Sequence, residues 1–284
     1  MDRFEFYSPQ SLGEALRFIS GRGDRTAIIA GGTDLIPGLR QGNSRPGFVL
    51  NILEIEELNG VREKEQALCI GCTTTHTQLA ESAILQRTCP ALAQAAASVG
   101  GPLVRNRGTI GGNIVNASPA ADLACALLAL DAEAVLRSEK GTRMVALRDF
   151  FIGPGQTVIQ PDEILTEVSI RLPKGKSVFS KLGRRQAMSL SIVNAAVYLE
   201  MEGKVCRETR IALGSVAPTP IRCPQAERML ANQETDPELL SECASEAMRA
   251  SKPIDDLRAK AWYRIEAGTV LLRKALAQAA GLNP

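Results

Sequence analysis

The stretch that decides the fold is Arg105-Asn-Arg-Gly-Thr-Ile-Gly-Gly-Asn113, which continues as Ile-Val-Asn-Ala-Ser-Pro-Ala-Ala-Asp122. Glycine adopts positive φ at little cost and has no side chain to block a ligand, so this segment can present backbone N–H groups to a phosphate. Its glycines, Gly108, Gly111 and Gly112, do not fit the G-x-G-x-x-G spacing, and the segment lacks the lysine of a P-loop. The pattern indicates a binding loop for a polar ligand, outside the Rossmann and P-loop classes.

Another glycine loop lies nearer the N-terminus, at Ile29-Ala-Gly-Gly-Thr-Asp34. A strand predicted over Thr26 to Ala30 leads into it, and Thr33 offers a hydroxyl donor. Asp34 can accept from a ribose or can cap the next helix, and an ordinary strand-to-helix turn stays open for this loop taken alone. Together, this first glycine loop (29–34) and the second glycine loop (105–113) predict a ligand with two separated polar regions, clamped between subdomains. FAD has that shape.

Local patterns outside the loops predict alternating strands and helices in the first half of the chain. The predicted segments are a strand near Phe4–Tyr7, a helix from the capping box Ser11–Glu14 to Ile19, strands at Phe48–Ile52 and Ala67–Ile70, helices at Thr75–Leu85, Ala91–Val99 and Asp122–Leu130, and strands at Glu133–Arg137 and Thr142–Leu147. The segment from Gly100 to Gly112 is predicted to be a loop.

From Ile164 onward the pattern changes to four strands followed by two helices. They are predicted at Ile164–Leu172, Val178–Gly183, Ile192–Met201, Val205–Leu213, Pro237–Ala250 and Arg258–Ala280. Strands followed by helices are typical of a separate α+β domain. The expected domains are therefore residues 1–174 and 175–284, with the boundary near Pro173-Lys-Gly175.

Composition excludes several partners. The formal net charge is +2 and the basic residues are dispersed, which argues against nucleic acid or an anionic membrane as a partner. The N-terminus does not read as a secretory signal, and the longest apolar stretch, Leu123 to Leu130, is too short to span a membrane. An odd number of cysteines, 7, favours reduced thiols and a cytoplasmic location.

Two features that suggest metal or redox chemistry have simpler interpretations. Cys69 and Cys72 have the C-x-x-C spacing, but on the predicted strand residues three apart point to opposite faces. His76 is the only histidine, so it has no second histidine for a zinc site or a catalytic triad. We expect it to begin the helix after Thr75, and we predict no metal site.

With these residues in view, the sequence resembles the FAD-binding medium subunit of the xanthine dehydrogenase and carbon monoxide dehydrogenase family of molybdenum hydroxylases. The matching stretches follow the order of the family and cover nearly the whole chain: AGGTDL at 30–35, IGCTTTHTQL at 70–79, RNRGTIGGNIVNASPAAD at 105–122, ALLALDA at 126–132, GPG at 153–155, DEIL at 162–165, FSKLGRR at 179–185 and APTPIRC at 217–223. No cysteine-bearing iron–sulfur insertion is visible, which resembles the members that carry FAD alone.

The resemblance implies an α+β fold, in which an FAD-binding domain of two α/β subdomains (PCMH-type) precedes a smaller C-terminal α+β domain with an antiparallel sheet and helices. It also implies an FAD site, with the first loop on the pyrophosphate and adenosine side, the second loop as the other wall, Asp122 at the ribityl or ribose, and Leu165 and Lys181 closing over the adenine or flavin. The implied residues are Ala27, Ile28, Ile29, Ala30, Gly31, Gly32, Thr33, Asp34, Leu35, Thr73, Thr74, Val99, Gly100, Gly108, Thr109, Gly111, Gly112, Asn113, Val115, Asn116, Asp122, Leu165 and Lys181.

By the same resemblance, a large partner subunit holds the molybdenum cofactor and a small one holds two [2Fe–2S] clusters. The chain then passes electrons from those clusters through FAD to NAD or another acceptor, and needs no catalytic acid or base of its own. The APTPIRC stretch favours a purine substrate, while carbon monoxide, nicotinate and aldehydes stay open. Alternatives from other classes are a self-sufficient FAD-dependent oxidoreductase and a non-catalytic assembly subunit whose glycine loops are structural.

Overall fold

The computed structural model describes residues 3–185 and 188–282, beginning with an N-terminal domain of two main sheets and a two-stranded hairpin at residues 151–157. Its helices are α1 (Leu12–Ile19), α2 (Leu35–Gln41), α3 (His76–Glu81), α4 (Ala83–Thr88), α5 (Pro90–Ser98), α6 (Pro102–Arg105), α7 (Ile110–Val115) and α8 (Asp122–Ala129). Its strands are β1 (Glu5–Tyr7), β2 (Thr26–Ile29), β3 (Phe48–Asn51), β4 (Val61–Lys64), β5 (Ala67–Gly71), β6 (Glu133–Ser138), β7 (Gly141–Ala146), β8 (Phe151–Gly153), β9 (Gln156–Thr157) and β10 (Ile164–Arg171).

The first subdomain is a small parallel sheet in the order β1-β3-β2, with α1 connecting its first two strands along the chain. The predicted cap of α1 is confirmed, because the Ser11 hydroxyl accepts from the Glu14 N–H. The Glu14 carboxylate accepts from the Gln10 N–H, one residue before the position that a capping box requires. The first glycine loop leaves this sheet at the end of β2.

The second subdomain is a five-stranded antiparallel sheet in the order β4-β5-β10-β6-β7. Its central strand is β10, which pairs with β5 on one side and β6 on the other. A tight turn joins β6 to β7, where Ser138 pairs with Gly141. Although β10 follows the other strands of this sheet by many residues, it supplies the centre of the sheet and so belongs to the N-terminal domain.

Two predictions of local structure are wrong. The helix predicted over Thr75–Leu85 is interrupted at Ser82, whose extended backbone ends α3 and whose hydroxyl caps α4 by accepting from Leu85 N–H. The loop predicted over 100–112 contains α6 and the start of α7. Pro102 begins α6, and the Thr109 side chain caps α7, so short-range capping overrides the glycine-rich composition.

The C-terminal domain has an antiparallel sheet covered by helices, as predicted. The strand order is β11-β12-β13-β14, with β15 paired to β13. Its elements are β11 (Lys176–Gly183), β12 (Ser191–Glu202), β13 (Val205–Gly214), β14 (Ile221–Arg222), α9 (Pro224–Leu230), β15 (Gln233–Glu234), α10 (Pro237–Arg249) and α11 (Ala261–Ala280). Helix α9 was not predicted. Among the described residues of both domains, no helix is long and apolar enough to cross a membrane.

The two domains meet across α5 and α8, which pack on the C-terminal sheet. All residues of α8 are buried, and the Cys125 thiol donates to the carbonyl oxygen of Ala212 at 3.4 Å. Phe179, Ala196 and Ala212 of the C-terminal domain belong to the hydrophobic core that the N-terminal domain builds. The domains are therefore joined by a packed interface, while the boundary between residues 174 and 175 stays a prediction.

We expect truncation of a fully buried residue of α8, Leu127→Ala, to lower the free energy of unfolding by about 2–5 kcal/mol, because it leaves a cavity in a closed core. Leu127 is 0% exposed. The matched control is Leu257→Ala, since Leu257 is 96% exposed and should cost less than about 0.5 kcal/mol. Urea denaturation measures both, and equal losses in the two variants would contradict the packing described here.

Candidate cofactor site

The two glycine loops lie in direct backbone contact. A Cβ atom placed on Gly31 would lie 1.8 Å from the carbonyl oxygen of Arg107, so only glycine permits this approach. A second link joins the loops across 82 residues of sequence, where the Asn116 amide donates to the Asp34 carboxylate at 3.4 Å. The structure therefore brings together the loops that the sequence predicted as one site.

The first loop presents a run of backbone donors that the described part of the chain does not use. The N–H groups of Gly31, Gly32, Thr33 and Asp34 donate to no other described residue. Gly32 has a φ of 73°, a conformation that L side chains rarely adopt. Successive free N–H groups around such a turn form a concave site for an anion. This arrangement suits the phosphate side of a dinucleotide.

Asp34 does not cap α2, so that alternative for its side chain is wrong. It stands at the N-cap position with helical backbone angles and makes no capping hydrogen bond. Its carboxylate instead accepts from the Thr33 hydroxyl at 3.4 Å and from Asn116. The residues before the loop, Ala27, Ile28 and Ile29, lie half-buried in β2, and Leu35 begins α2.

The second loop rests on the segment from Cys72 to His76. Gly111 N–H donates to Cys72 O, Ile110 N–H to Thr74 O and His76 N–H to Gly108 O, each at 2.9 Å. Below them, the Thr73 hydroxyl donates to Leu58 O at 2.9 Å and the Thr74 hydroxyl to Gly60 O at 3.3 Å. Thr73 and Thr74 are both 0% exposed. Their side chains thus fix the Cys72–His76 segment on which the second loop rests.

Gly111 and Gly112 differ in what surrounds them. A Cβ on Gly111 would lie 2.7 Å from Cys72 O, whereas a Cβ on Gly112 would meet only the Thr109 hydroxyl, at 3.2 Å. Gly111 is therefore required by packing, and Gly112 faces open space. Beside them, the Asn113 Oδ1 atom is buried and has no hydrogen-bond partner among the described residues. An orphaned acceptor next to an open glycine fits a bound polar ligand.

His76 supports the second loop from beneath. It begins α3 as predicted, after a complete capping box at Thr75. It is 3% exposed, its Nδ1 atom has no hydrogen-bond partner among the described residues, and a Cβ on Gly108 would lie 3.0 Å from its ring. Burial, with a smaller contribution from the positive charge of Arg105, lowers the pKa of His76 to about 4. The imidazole is therefore neutral near pH 7.

The turn at Val99–Gly100 is held by Arg105, a residue that the sequence analysis did not single out. The Arg105 guanidinium donates to Val99 O at 3.1 Å and to Gly100 O at 3.3 Å. Gly100 has a φ of 48°. No sequence motif distinguishes this arginine from the neighbouring Arg107, so only the folded turn shows its role.

Asp122 and Lys181 form a buried ion pair at 2.6 Å between the two domains, with side-chain exposures of 5% and 13%. The Asp122 carboxylate also accepts from Ser191 and Asn194 of β12, which the sequence analysis did not identify. Leu165 lies in β10 and is 4% exposed within the core. Val115 and Asn116 lie at the exposed end of α7.

A cavity of about 190 Å³ lies between the domains, and none of the predicted site residues lines it. Its walls include Arg171, Lys174, Glu200 and Arg210.

All seven cysteines are buried and free. Burial raises the pKa of the Cys72 thiol to about 12, so it stays protonated under the second loop.

Comparison with known proteins identifies the two domains. Residues 2–174 match the family model described as the FAD binding domain in molybdopterin dehydrogenase, and residues 177–279 match the CO dehydrogenase flavoprotein C-terminal domain. The glyceraldehyde dehydrogenase medium chain of Sulfolobus acidocaldarius is 33% identical, with 98% of each chain covered. The xanthine dehydrogenase FAD-binding subunit of Escherichia coli O157:H7 is 32% identical, over 98% of this chain and 96% of its own length.

The same relationship holds for solved structures. Reconstituted CO dehydrogenase from Oligotropha carboxidovorans contains a chain with a TM-score of 0.94 and 31% identity, covering 99% of this chain and 98% of that one. These matches confirm the expected two-domain α+β fold and FAD as the cofactor. The chain therefore belongs to the family of FAD-binding medium subunits of molybdenum hydroxylases.

Proposed function

We propose that this chain relays electrons within a molybdenum hydroxylase, from the [2Fe–2S] clusters of a small partner subunit to NAD or another acceptor. The observation that carries the proposal is the contact of the two glycine loops, together with N–H groups in the first loop that no described residue uses and an open glycine and an orphaned amide oxygen in the second. When bound, FAD supplies the redox chemistry, and this chain supplies binding and orientation.

In this proposal the first loop binds the diphosphate through the N–H groups of Gly31 to Asp34. The second loop approaches from the other side, with Gly112 leaving room and Asn113 Oδ1 accepting from the cofactor. Val99, Gly100, Thr109, Val115 and Asn116 complete that wall. In the proposed site, the fully buried Thr73 and Thr74 act by supporting the second loop. Asp122, Leu165, Lys181 and the remaining sequence-derived residues are kept as proposed contacts.

The internal pairing of Lys181 bears on its electrostatic role. With Asp122 at 2.6 Å, the pair carries no net charge, so Lys181 acts on a bound anion mainly as a local hydrogen-bond donor. Arg184 and Arg185 donate to the carbonyl oxygens of Leu257 and Met188 in the neighbouring loops. Within the second loop, positive charge is carried by Arg105, which contacts Val99 and Gly100, and by Arg107.

In this proposal the molybdenum-bearing partner binds and hydroxylates the substrate of the complex. Resemblance of the APTPIRC stretch supports a purine, in line with the E. coli relative whose name gives xanthine. Relatives named for glyceraldehyde and carbon monoxide are 33% and 32% identical, so aldehydes and carbon monoxide are tested beside purines and nicotinate. A substrate panel on the purified complex distinguishes them.

We expect Gly112→Val to weaken FAD binding about 10- to 100-fold, since the added side chain displaces hydrogen bonds to a charged ligand. The matched control is Gly38→Val on α2, where an added Cβ meets no atom within 4 Å. Quenching of flavin fluorescence on titration measures the affinity of each variant. Unchanged affinity in a folded Gly112→Val protein would remove the second loop from the site.

We expect acid to destabilise the protein through His76. Its pKa of about 4 in the folded state lies below the ordinary histidine value of 6.5, so the unfolded state takes up the proton first. The stabilising contribution is complete above pH 6.5 and is lost as the pH falls toward 4. Between pH 7 and pH 5 it amounts to about 2 kcal/mol.

Urea denaturation at these two pH values measures the loss in wild type and in His76→Gln, which cannot titrate in this range. The difference between pH 7 and pH 5 should shrink in the variant by that amount. The same pH dependence in both proteins would show that His76 is not the titrating group.

We expect the isolated chain to bind FAD and to hydroxylate no purine. In the whole complex, Gly112→Val should lower reduction of the final acceptor in proportion to the loss of bound FAD, while a one-electron dye that accepts from the iron–sulfur clusters still supports turnover. Steady-state assays with each acceptor measure the two activities. Substrate hydroxylation by the isolated FAD-loaded chain would instead indicate a self-sufficient oxidoreductase, and a folded chain without flavin would indicate an assembly subunit.

A further inference from the structure

One ammonium group of the C-terminal domain holds both ends of the segment that contains the second glycine loop. Lys181 Nζ donates to the Ser98 carbonyl oxygen at 3.0 Å and to Asp122 Oδ2 at 2.6 Å. The Ser98 hydroxyl also donates to Asp122 Oδ2, at 3.3 Å. Residues 99–121 thus form a loop whose two flanking residues meet at Lys181, and this segment includes the Val99–Gly100 turn and α7.

The carboxylate in this closure is oriented from β12. Asp122 Oδ1 accepts from the Ser191 hydroxyl at 2.5 Å and from the Asn194 amide at 2.8 Å. Ser191 and Asn194 are both 0% exposed, so neither side chain can reach a ligand in solvent-accessible space. A Cβ on Gly214 would lie 2.2 Å from Asn194 Oδ1, so the neighbouring strand leaves this amide little freedom.

The exit of the segment has a second attachment to the same domain. Ser215 N–H donates to the carbonyl oxygen of Pro119 at 2.8 Å, and Ser215 has a φ of 64°. Arg264, which is 1% exposed, donates to Ser215 O at 3.1 Å and to Ile192 O at 2.6 Å. The C-terminal domain therefore fixes the segment at Ser98, Pro119 and Asp122.

The arrangement suits positioning more than stability. A buried ion pair adds little net stability, because desolvation offsets the attraction, but it specifies one geometry. Here the specified geometry is the distance between Ser98 and Asp122. The hydrogen bonds from the second loop to Cys72 and Thr74 hold the middle of the segment. Its two ends are held by Lys181.

We propose that Lys181 closes the segment 99–121 from the C-terminal domain, and that Ser191 and Asn194 are positioning residues for FAD binding by the second glycine loop. FAD affinity then depends on the hydrogen bonds of Ser191 and Asn194 to Asp122, although these two side chains do not themselves touch the cofactor. The inference rests on the proposed function in one respect, that this segment contacts FAD.

The closure is tested first without cofactor, so that this result does not depend on FAD. Amide hydrogen exchange in the FAD-free protein should become faster in residues 99–121 in Lys181→Met and Ser191→Ala, while exchange in residues 26–41 stays as in wild type. Ser191→Ala keeps both charges of the ion pair and serves if Lys181→Met does not fold. Exchange in 99–121 that matches wild type in a folded variant would overturn the closure.

FAD affinity then tests the positioning role. Ser191→Ala removes one hydrogen bond to the Asp122 carboxylate and should weaken FAD binding about tenfold. The control is Thr209→Val, a buried residue of β13 (7% exposed) whose hydroxyl contacts Cys206 Sγ and not the domain interface. It should lower stability and leave FAD affinity unchanged. Equal loss of affinity in both variants, or wild-type affinity in Ser191→Ala, would overturn the assignment.

Discussion

The approach of the Gly31 backbone to the Arg107 carbonyl is the constraint on which the rest of the structure depends. Any side chain at residue 31 would lie inside the van der Waals distance of Arg107 O, so the first loop can adopt its course only with glycine there. The contact joins two loops from different subdomains into one continuous wall of the proposed site. Because the N–H groups of Gly31 to Asp34 are not used within the described chain, that wall stays open to an anion.

The surrounding fold holds this contact in place. The parallel sheet delivers the first loop at the end of β2, and the antiparallel sheet delivers Cys72 to His76 at the end of β5. Buried Thr73 and Thr74 fix that segment to Leu58 and Gly60 through their hydroxyl groups. Neutral His76 fills the space beneath Gly108, where a charged ring would be costly to bury. Packing and electrostatics therefore support the same geometry.

The sequence allowed prediction of the elements and of both loops, because hydrophobic periodicity and glycine spacing are local properties. The two wrong predictions of local structure both arise from helix capping. Ser82 divides one predicted helix, and Thr109 caps a helix inside the predicted loop. Arg105, Ser191 and Asn194 were not found, since each acts through a partner that only the fold brings near. Residue type alone does not distinguish them from surface residues.

The separate roles of the two domains explain why relatives named for different substrates have a chain similar to this one. In the proposed function the loops bind the cofactor and the C-terminal domain holds their flanks, so neither task depends on what the complex oxidises. Relatives named for glyceraldehyde, carbon monoxide and xanthine accordingly lie within 32–33% identity of this sequence. A site built from backbone N–H groups and glycines binds through main-chain geometry more than through side-chain chemistry. It can therefore serve any partner whose electrons reach the flavin, provided that the closure at Lys181 keeps the second loop in position.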